Sequence, residues 1–397
     1  MSALSHLRIL DLTRFLAGPF CTSLLADLGA EVVKIEAPKG GDEGRYAYEP
    51  VNGVSLLFEG VNRNKKGITL DLRQDEGKAI FRRLLPHFDV LVENFAGGTM
   101  ARWGMAPEAL CREHPRLIVA SLSGFGQTGP WRDHPSYDII TQASSGFMSI
   151  TGFPDTPPTR GGGSLGDYVQ GLFGAYGVMA AVCARERTGR GQAVDISSQD
   201  AMFTMLDGWP ATFAASGRLP AQVGNAHLGT APYDCYRAND GWVVIAVASN
   251  KLFRHLMTAI DRPELGRDER FRGVRGRIER HDEINGIVAT WVGTRTVEQV
   301  MHELGPQGAG VPCSPVYTPD QLLTHPQLVA RNMIERRPHA DLEEQMVLPG
   351  VVAKMSETPG AIRYGAPALG EHNAEIYGAL LGLGPDDLAR LEAAKAI

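Results

Sequence analysis

The pattern that most restricts this chain lies near its start. His6 to Leu12 is a short apolar run. Ala17-Gly18-Pro19 then opens a helix, with proline at a tolerated first-turn position, and Leu24, Leu25 and Leu28 give that helix one apolar side. Gly29 stops it, and Glu31-Val32-Val33-Lys34-Ile35 resumes an extended pattern. A strand, a helix and a second strand in this order make a crossover unit, and strands joined by a crossover run parallel. Ile68 to Leu72, Val90-Leu91-Val92, Leu117 to Leu122 and Gln192 to Ser197 read as further strands, and Gly77 to Leu85 as a helix. Ligands on an open sheet of this kind sit beyond the carboxyl ends of its strands. Asp11 to Arg14, Glu93-Asn94-Phe95 and Ser121 to Gly124 fall at those ends.

The fold class expected is therefore α/β, with an open, mainly parallel, Rossmann-like sheet. Trp242 to Ala248 and Val311 to Val316 read as strands, and Phe253 to Ile260 and Ile284 to Trp291 as helices. They predict a second, smaller α/β domain over 225–330. The large domain is expected over 1–215 and is completed by 333–397.

One stretch stands apart. Arg160-Gly161-Gly162-Gly163-Ser164-Leu165-Gly166-Asp167-Tyr168 runs three glycines into a carboxylate and then into a helix carrying Val169, Leu172, Phe173 and Tyr176. Gly171, Gly174 and Gly177 recur at every third position, so one helix face is bare backbone and something packs closely against it. Asp167 has two readings. Ser164-x-x-Asp167 fits a capping box that satisfies backbone donors at the helix start. Alternatively, Asp167 is a nucleophilic carboxylate beside a loop without side chains, whose N–H groups could hold an oxyanion.

Composition excludes several classes. A net charge of −6 without a Lys/Arg block argues against a nucleic-acid binder. Five scattered cysteines without a CxxC fit a reduced, cytoplasmic compartment. No apolar run reads as a signal peptide or membrane span. No His, Cys and carboxylate cluster has metal-ligand spacing, so no metal is expected. Gly124-Phe125-Gly126-Gln127-Thr128-Gly129 matches a dinucleotide fingerprint, but Pro130 follows at once where a helix would have to open.

Taken together, the words along the chain resemble the class III CoA-transferases, the formyl-CoA transferase and carnitine CoA-transferase family, whose relatives include α-methylacyl-CoA racemases. They are Asp11-Leu12-Thr13-Arg14-Phe15-Leu16-Ala17-Gly18-Pro19, Gly29 to Glu36, Asn62-Arg63-Asn64-Lys65-Lys66, Val92-Glu93-Asn94-Phe95, Ser123 to Pro130, Tyr137-Asp138, Ala231-Pro232-Tyr233, Asp240-Gly241 and His325-Pro326-Gln327. The resemblance implies that Asp167 is the catalytic nucleophile. It attacks an acyl-CoA thioester and passes through a mixed anhydride to an aspartyl-CoA thioester, from which a small carboxylic acid takes the CoA. A helix N-terminus would favour Asp167 as an anion. The resemblance also implies CoA contacts at Arg14, Phe15, Leu16 and Ala17, at Leu70 and Arg73, and at Asn94, Phe95, Arg102 and Trp103. Tyr137 and Gly161 to Gly163 are implied on the substrate side. CoA enters as a substrate, with no permanently bound cofactor. Succinyl-CoA is the family-level donor, and Arg45, Arg160 and Tyr137 are candidates to meet a second carboxylate. Ala37 and Pro135 stand where some relatives carry basic residues. Family members form interlocked homodimers, and the large domain, left and rejoined by the chain, permits such a ring.

Two alternatives follow from the same residues. Racemisation moves a proton at the α-carbon and needs two acid/base groups. The racemases of this family carry a histidine before the aspartate matching Asp138, where this chain has Tyr137, and a glutamate where it has Asn250. His134 lies three positions early. A non-catalytic CoA-binding protein on the same fold is the other alternative, and the intact Gly166-Asp167-Tyr168 argues against it.

Overall fold

The structure, a computed structural model, describes residues 2–343 and 345–397. The chain forms two compact units. One comprises the chain up to Met148, Arg160–Pro210 and Pro326–Ile397; the other comprises Ser149–Thr159 and Ala211–His325.

The first unit is built on six parallel strands: β1 Arg8–Asp11, β2 Glu31–Glu36, β3 Lys65–Thr69, β4 Val90–Glu93, β5 Ile118–Ser123 and β6 Ala193–Ser197. Their order is β3-β2-β1-β4-β5-β6. The order reverses between β1 and β4, and the loops leaving these neighbours part to open a crevice at their carboxyl ends. β3 lies at the edge, and the C-terminal segment covers it. The His372 N–H reaches the Gly67 carbonyl, and Thr69 N–H donates to Asn373 Oδ1 at 2.9 Å. Tyr377 Oη donates to the Thr69 carbonyl at 2.7 Å. Edge groups that would otherwise template pairing are thereby satisfied.

The strand expected at Ile68–Leu72 starts three residues earlier, at Lys65. Two consecutive lysines hide it from a hydrophobicity reading, yet Lys65 is fully buried. A short antiparallel hairpin, Ile334–Arg337 with Met346–Pro349, also belongs to the first unit.

The second unit has its own core, including Val243, Ile245, Phe253, Leu256 and Val288. It lies between helices such as Asn250–Ala259 and His281–Val292 and a three-stranded antiparallel sheet of Tyr233–Arg237, Trp242–Ala246 and Cys313–Pro315.

Helix α1, Ala17–Asp27, and a long helix, Leu165–Thr188, pack against each other on one face of the large sheet. Their close approach needs the bare face of the long helix. A Cβ on Gly171 would come within 2.7 Å of the Ala17 carbonyl oxygen, and one on Gly174 within 2.8 Å of Leu122. The start of the long helix is thus held against the carboxyl ends of the strands.

Four charges sit in the interior behind those ends. Asp11 accepts from Thr13 N at 2.8 Å, Thr22 Oγ1 at 2.7 Å and Lys65 Nζ at 2.9 Å. Lys65 also donates to the Pro19 carbonyl and Asn62 Oδ1. Lys34 Nζ donates to the Thr13 carbonyl at 2.6 Å and to Asp42 Oδ2 at 2.9 Å. Burial opposes ionisation of Asp11, but Lys65 and Lys34 hold its carboxyl below the ordinary range. Burial draws Lys65 down to about 8 against the pull of Asp11. Removing one partner leaves its neighbour charged and unpaired in a dry site. Lys65→Met is expected to destabilise the large unit by about 3–5 kcal/mol. Breaking the exposed Arg272–Glu269 pair is expected to cost under about 1 kcal/mol. Chemical denaturation of the two variants checks the contrast.

Candidate active site

Two adjoining pockets open at the strand carboxyl ends of the first unit, and they share Arg14, Phe95 and Ala96. The first, about 380 Å³, is lined by Arg14, Phe15, Leu16, Ala17, Tyr48, Asn94, Phe95, His134, Tyr137 and Asp167, among others. The second, about 590 Å³, is lined by Arg14, Lys39, Asp42, Glu43, Tyr46, Leu70, Arg73, Phe95 and Trp103, among others. Most residues singled out by sequence therefore meet in one continuous crevice at the reversal of strand order. Arg102 and Gly161 to Gly163 line neither pocket.

The loop after β1 is held by both of its neighbours. Asn94 Oδ1 accepts the Arg14 N–H at 2.9 Å, and Asn94 Nδ2 donates to the Arg14 carbonyl at 2.8 Å. Asp42 Oδ1 accepts the Phe15 N–H at 2.9 Å. Phe15 sits at φ 63°, a left-handed conformation that a bulky side chain adopts only under constraint. Its ring meets Tyr137 edge-on at 6.3 Å between centroids. The side chain of Asn94 is thus spent on the loop. Glu93 is buried behind it and accepts the Phe95 N–H at 2.8 Å, and burial pushes its carboxyl up to about 7.

Phe95 and Trp103 pack edge to face with centroids 5.0 Å apart, and together they form an apolar wall of the second pocket. Arg73 is exposed and already forked onto Asp71, at 2.8 and 2.9 Å. Arg102 Nη2 donates to Thr99 Oγ1 at 2.8 Å. Arg45 is committed elsewhere. Its guanidinium grips Glu36 at 2.7 and 2.8 Å, donates to the Pro367 carbonyl and lies over Phe58. Arg160 Nη2 donates to the Gly163 carbonyl at 2.7 Å.

Asp167 stands in the first turn of the long helix and faces the first pocket. The expected capping box is absent. Ser164 makes no side-chain cap bond, and its hydroxyl meets Tyr48 Oη at 3.0 Å. The cap comes instead from Asp138, whose Oδ1 accepts the Gly166 N–H at 2.8 Å. Gln142 steadies Asp138 through Nε2 at 2.9 and 3.0 Å and accepts the Gly161 N–H through Oε1 at 2.8 Å. That glycine N–H is therefore engaged within the protein rather than offered to an oxyanion. The Asp167 carboxylate itself has no hydrogen-bond partner among the described residues. Burial first, and then the nearby Asp138 charge, push its carboxyl up to about 7. The direction is opposite to the anion-favouring effect expected of a helix N-terminus alone.

Tyr48 is a wall of this pocket that sequence reasoning missed. It sits at φ 61° in an irregular segment, and no local pattern marks it. Among the described residues no cluster of three or more His, Cys, Asp or Glu is disposed to hold a metal ion.

Comparison with known proteins places this geometry in a family. The chain is 41% identical, over 99% of its length and 98% of the relative's, to the succinyl-CoA–D-citramalate CoA-transferase of Chloroflexus aurantiacus. It is 40% identical, over 93% of its length and 94% of the relative's, to the acetyl-CoA:oxalate CoA-transferase of Acetobacter aceti. The crystal structure of a CAIB/BAIF family protein from Brucella suis superposes with a TM-score of 0.84 at 32% identity, covering 96% of this chain and 99% of that one. Residues 4–373 match the model of CoA-transferase family III, and the chain belongs to that family.

Proposed function

We propose that this CoA-transferase works through Asp167 as nucleophile, moving CoA from succinyl-CoA to a small carboxylic acid. The observation that carries the reading is the carboxylate of Asp167, unpartnered among the described residues, in a pocket that adjoins a second one of about 590 Å³. The relatives named above act on succinyl-CoA with citramalate and on acetyl-CoA with oxalate, which supports a small acid as acceptor. The second pocket takes the nucleotide part of CoA against Phe95, Trp103 and Leu70, with Lys39 and Arg73 toward its phosphates. Phe95 and Ala96 flank the thiol arm where the pockets join, and Phe15, Leu16 and Ala17 flank it within the first pocket. Arg102 lines neither pocket and is paired with Asp133 at 3.7 Å, so no phosphate contact is assigned to it.

The reaction then runs without net proton transfer. A carboxylate oxygen of Asp167 attacks the thioester carbon, the C–S bond breaks, and CoA thiolate leaves an acyl-aspartyl anhydride. The thiolate attacks the aspartyl carbonyl and expels the donor acid, giving an aspartyl-CoA thioester. The acceptor carboxylate attacks that carbonyl and breaks its C–S bond, giving an acceptor-aspartyl anhydride and free thiolate. The thiolate then attacks the acceptor's carbonyl, the anhydride C–O bond breaks, and the new acyl-CoA leaves Asp167 as a carboxylate. Each step splits one difficult exchange into easier ones. Gly162 and Gly163, exposed and open where a Cβ would stand, give the incoming acid room beside the helix start.

The racemase alternative gains nothing comparable. Its second acid/base group would have to come from a residue such as His134, whose ring is stacked on Trp131 with centroids 5.4 Å apart.

We further propose a homodimer in a reducing cytoplasm. All five cysteines are free. The first unit exposes apolar side chains at Leu172, Tyr176 and Val352, and Leu172 and Val352 border an apolar groove of about 520 Å³. Light scattering at micromolar concentration is expected to give twice the 42.9 kDa chain mass. A monomer contradicts the assembly.

Asp167→Asn is expected to lower the rate of CoA exchange roughly a thousandfold or more while the protein stays folded. Mass spectrometry of thioesters formed from succinyl-CoA and a panel of acids measures this, and near-normal exchange contradicts the nucleophile. The pH dependence follows from the raised carboxyl. The anion attacks, so kcat/KM should rise with pH and level off above about 7. A flat profile from mildly acidic to mildly basic pH contradicts it. Stability runs the other way. A carboxyl raised from 3.8 to about 7 in the folded state costs stability as pH climbs through that interval. Asp167→Asn should therefore be the more stable protein near pH 8, by on the order of 2 kcal/mol, with the gap closing near pH 4. Thermal melts across pH measure the gap.

A further inference from the structure

Arg14 is the only lysine or arginine among the residues lining the pocket that holds Asp167. The pocket is otherwise poorly suited to a second negative charge. It contains the Asp167 carboxyl, and Asp138 lies close enough to raise it. An acid that brings one carboxylate to Asp167 and carries another must have the second one met by a cation. The arginines favoured by sequence for that task are spent. Arg45 is locked on Glu36, and Arg160 bonds the Gly163 carbonyl and lines neither pocket.

Arg14 has a fixed backbone and an exposed, weakly paired head. Asn94 clamps its N–H and its carbonyl, and the next residue is pinned to Asp42. The guanidinium leans over the Phe95 ring at 5.8 Å and touches one carboxylate, Glu43, at 3.2 Å. That pair is weak in kind, since the two side chains are 48% and 55% exposed. Exchanging Glu43 for a better placed carboxylate would cost little, and a planar guanidinium can grip a carboxylate through two parallel hydrogen bonds.

We propose that Arg14 holds the second carboxylate of a dicarboxylate substrate, releasing Glu43 as the acid enters, so that this residue selects dicarboxylic over monocarboxylic acyl groups. The assignment rests on the CoA-transfer reading above. The same side chain also borders the second pocket, so the competing role is a contact to CoA itself. The two roles differ in what they predict. A CoA contact serves every thioester equally, whereas a contact to the distal carboxylate serves only acids that have one.

The test is identity exchange. Wild type, Arg14→Gln and Arg14→Lys are each given succinyl-CoA with isotopically labelled succinate, and propionyl-CoA with labelled propionate. The label entering the thioester pool is followed by mass spectrometry. Inhibition by free CoA is measured alongside, and thermal melts verify folding. Wild type is expected to prefer the succinyl pair. Arg14→Gln is expected to lose about tenfold or more in kcat/KM for that pair, with less than about a twofold change for the propionyl pair and for CoA inhibition. Arg14→Lys should keep part of the preference, because it keeps charge without the fork. Equal losses on both pairs would overturn the assignment in favour of a CoA contact, and so would an unchanged ratio. A wild type exchanging both acids equally well would also overturn it, with CoA transfer left standing. A wild type exchanging neither would instead bring down the transfer reading beneath it.

Discussion

The candidate active-site crevice depends on four buried charges. Asp11, Lys65, Lys34 and Asp42 are each at most 1% exposed at the side chain. Taking ions out of water costs several kcal/mol apiece, and a neutral, fully hydrogen-bonded quartet offsets most of that cost. What the quartet supplies is geometry. Asp11 fixes the turn at Thr13 and the middle of α1 through Thr22. Lys34 takes the Thr13 carbonyl, and Asp42 takes the Phe15 N–H. The loop bordering both pockets is therefore nailed from below by charges that cannot be rearranged cheaply, and Phe15 is kept at a backbone angle it would otherwise avoid.

The same economy explains the run Asn62-Arg63-Asn64-Lys65-Lys66. Asn62 steadies Lys65, and Lys65 holds Asp11. Arg63 and Asn64 share the buried Asp27. Asn64 also receives the Arg363 N–H and donates to the Ala361 carbonyl, and Lys66 reaches Glu31 and Glu375. Five consecutive polar residues thus tie the edge strand to the site on one side and to the C-terminal segment on the other. None of them lines the pocket that holds Asp167.

How much of this was legible in the chain depended on the range of the forces involved. The crossover at the N-terminus and the strands β4, β5 and β6 follow from local periodicity, and sequence read them within a residue or two. β3 was displaced because a buried ion pair imitates a surface strand. The glycines at 171 and 174 announced a close packing partner, and α1 and β5 provide it. The start of the long helix was legible but its cap was not. Ser164 lies at the expected spacing, whereas the acceptor in use, Asp138, comes from 28 positions upstream. No local pattern carries that information. The competition for Arg45 between a substrate and Glu36 was likewise invisible until Glu36 had a position. The residues singled out by sequence that do line the crevice came mostly from the family's words rather than from chemistry read residue by residue, and lining residues such as Tyr48 carried no signal of either kind.

These constraints converge on Asp167, the nucleophile proposed above. The bare helix face brings its turn to the strand ends, Asp138 takes over the capping, and burial beside a second carboxylate leaves it poised near neutrality. The most direct test of its role is chemical capture. Wild-type protein incubated with succinyl-CoA and then with hydroxylamine should yield a peptide bearing a hydroxamate at Asp167, because an anhydride or thioester of that carboxyl is open to the amine and a free carboxylate is not. Protein from the same treatment without thioester should yield none. A hydroxamate found at another residue, or none under conditions of active exchange, would contradict the account.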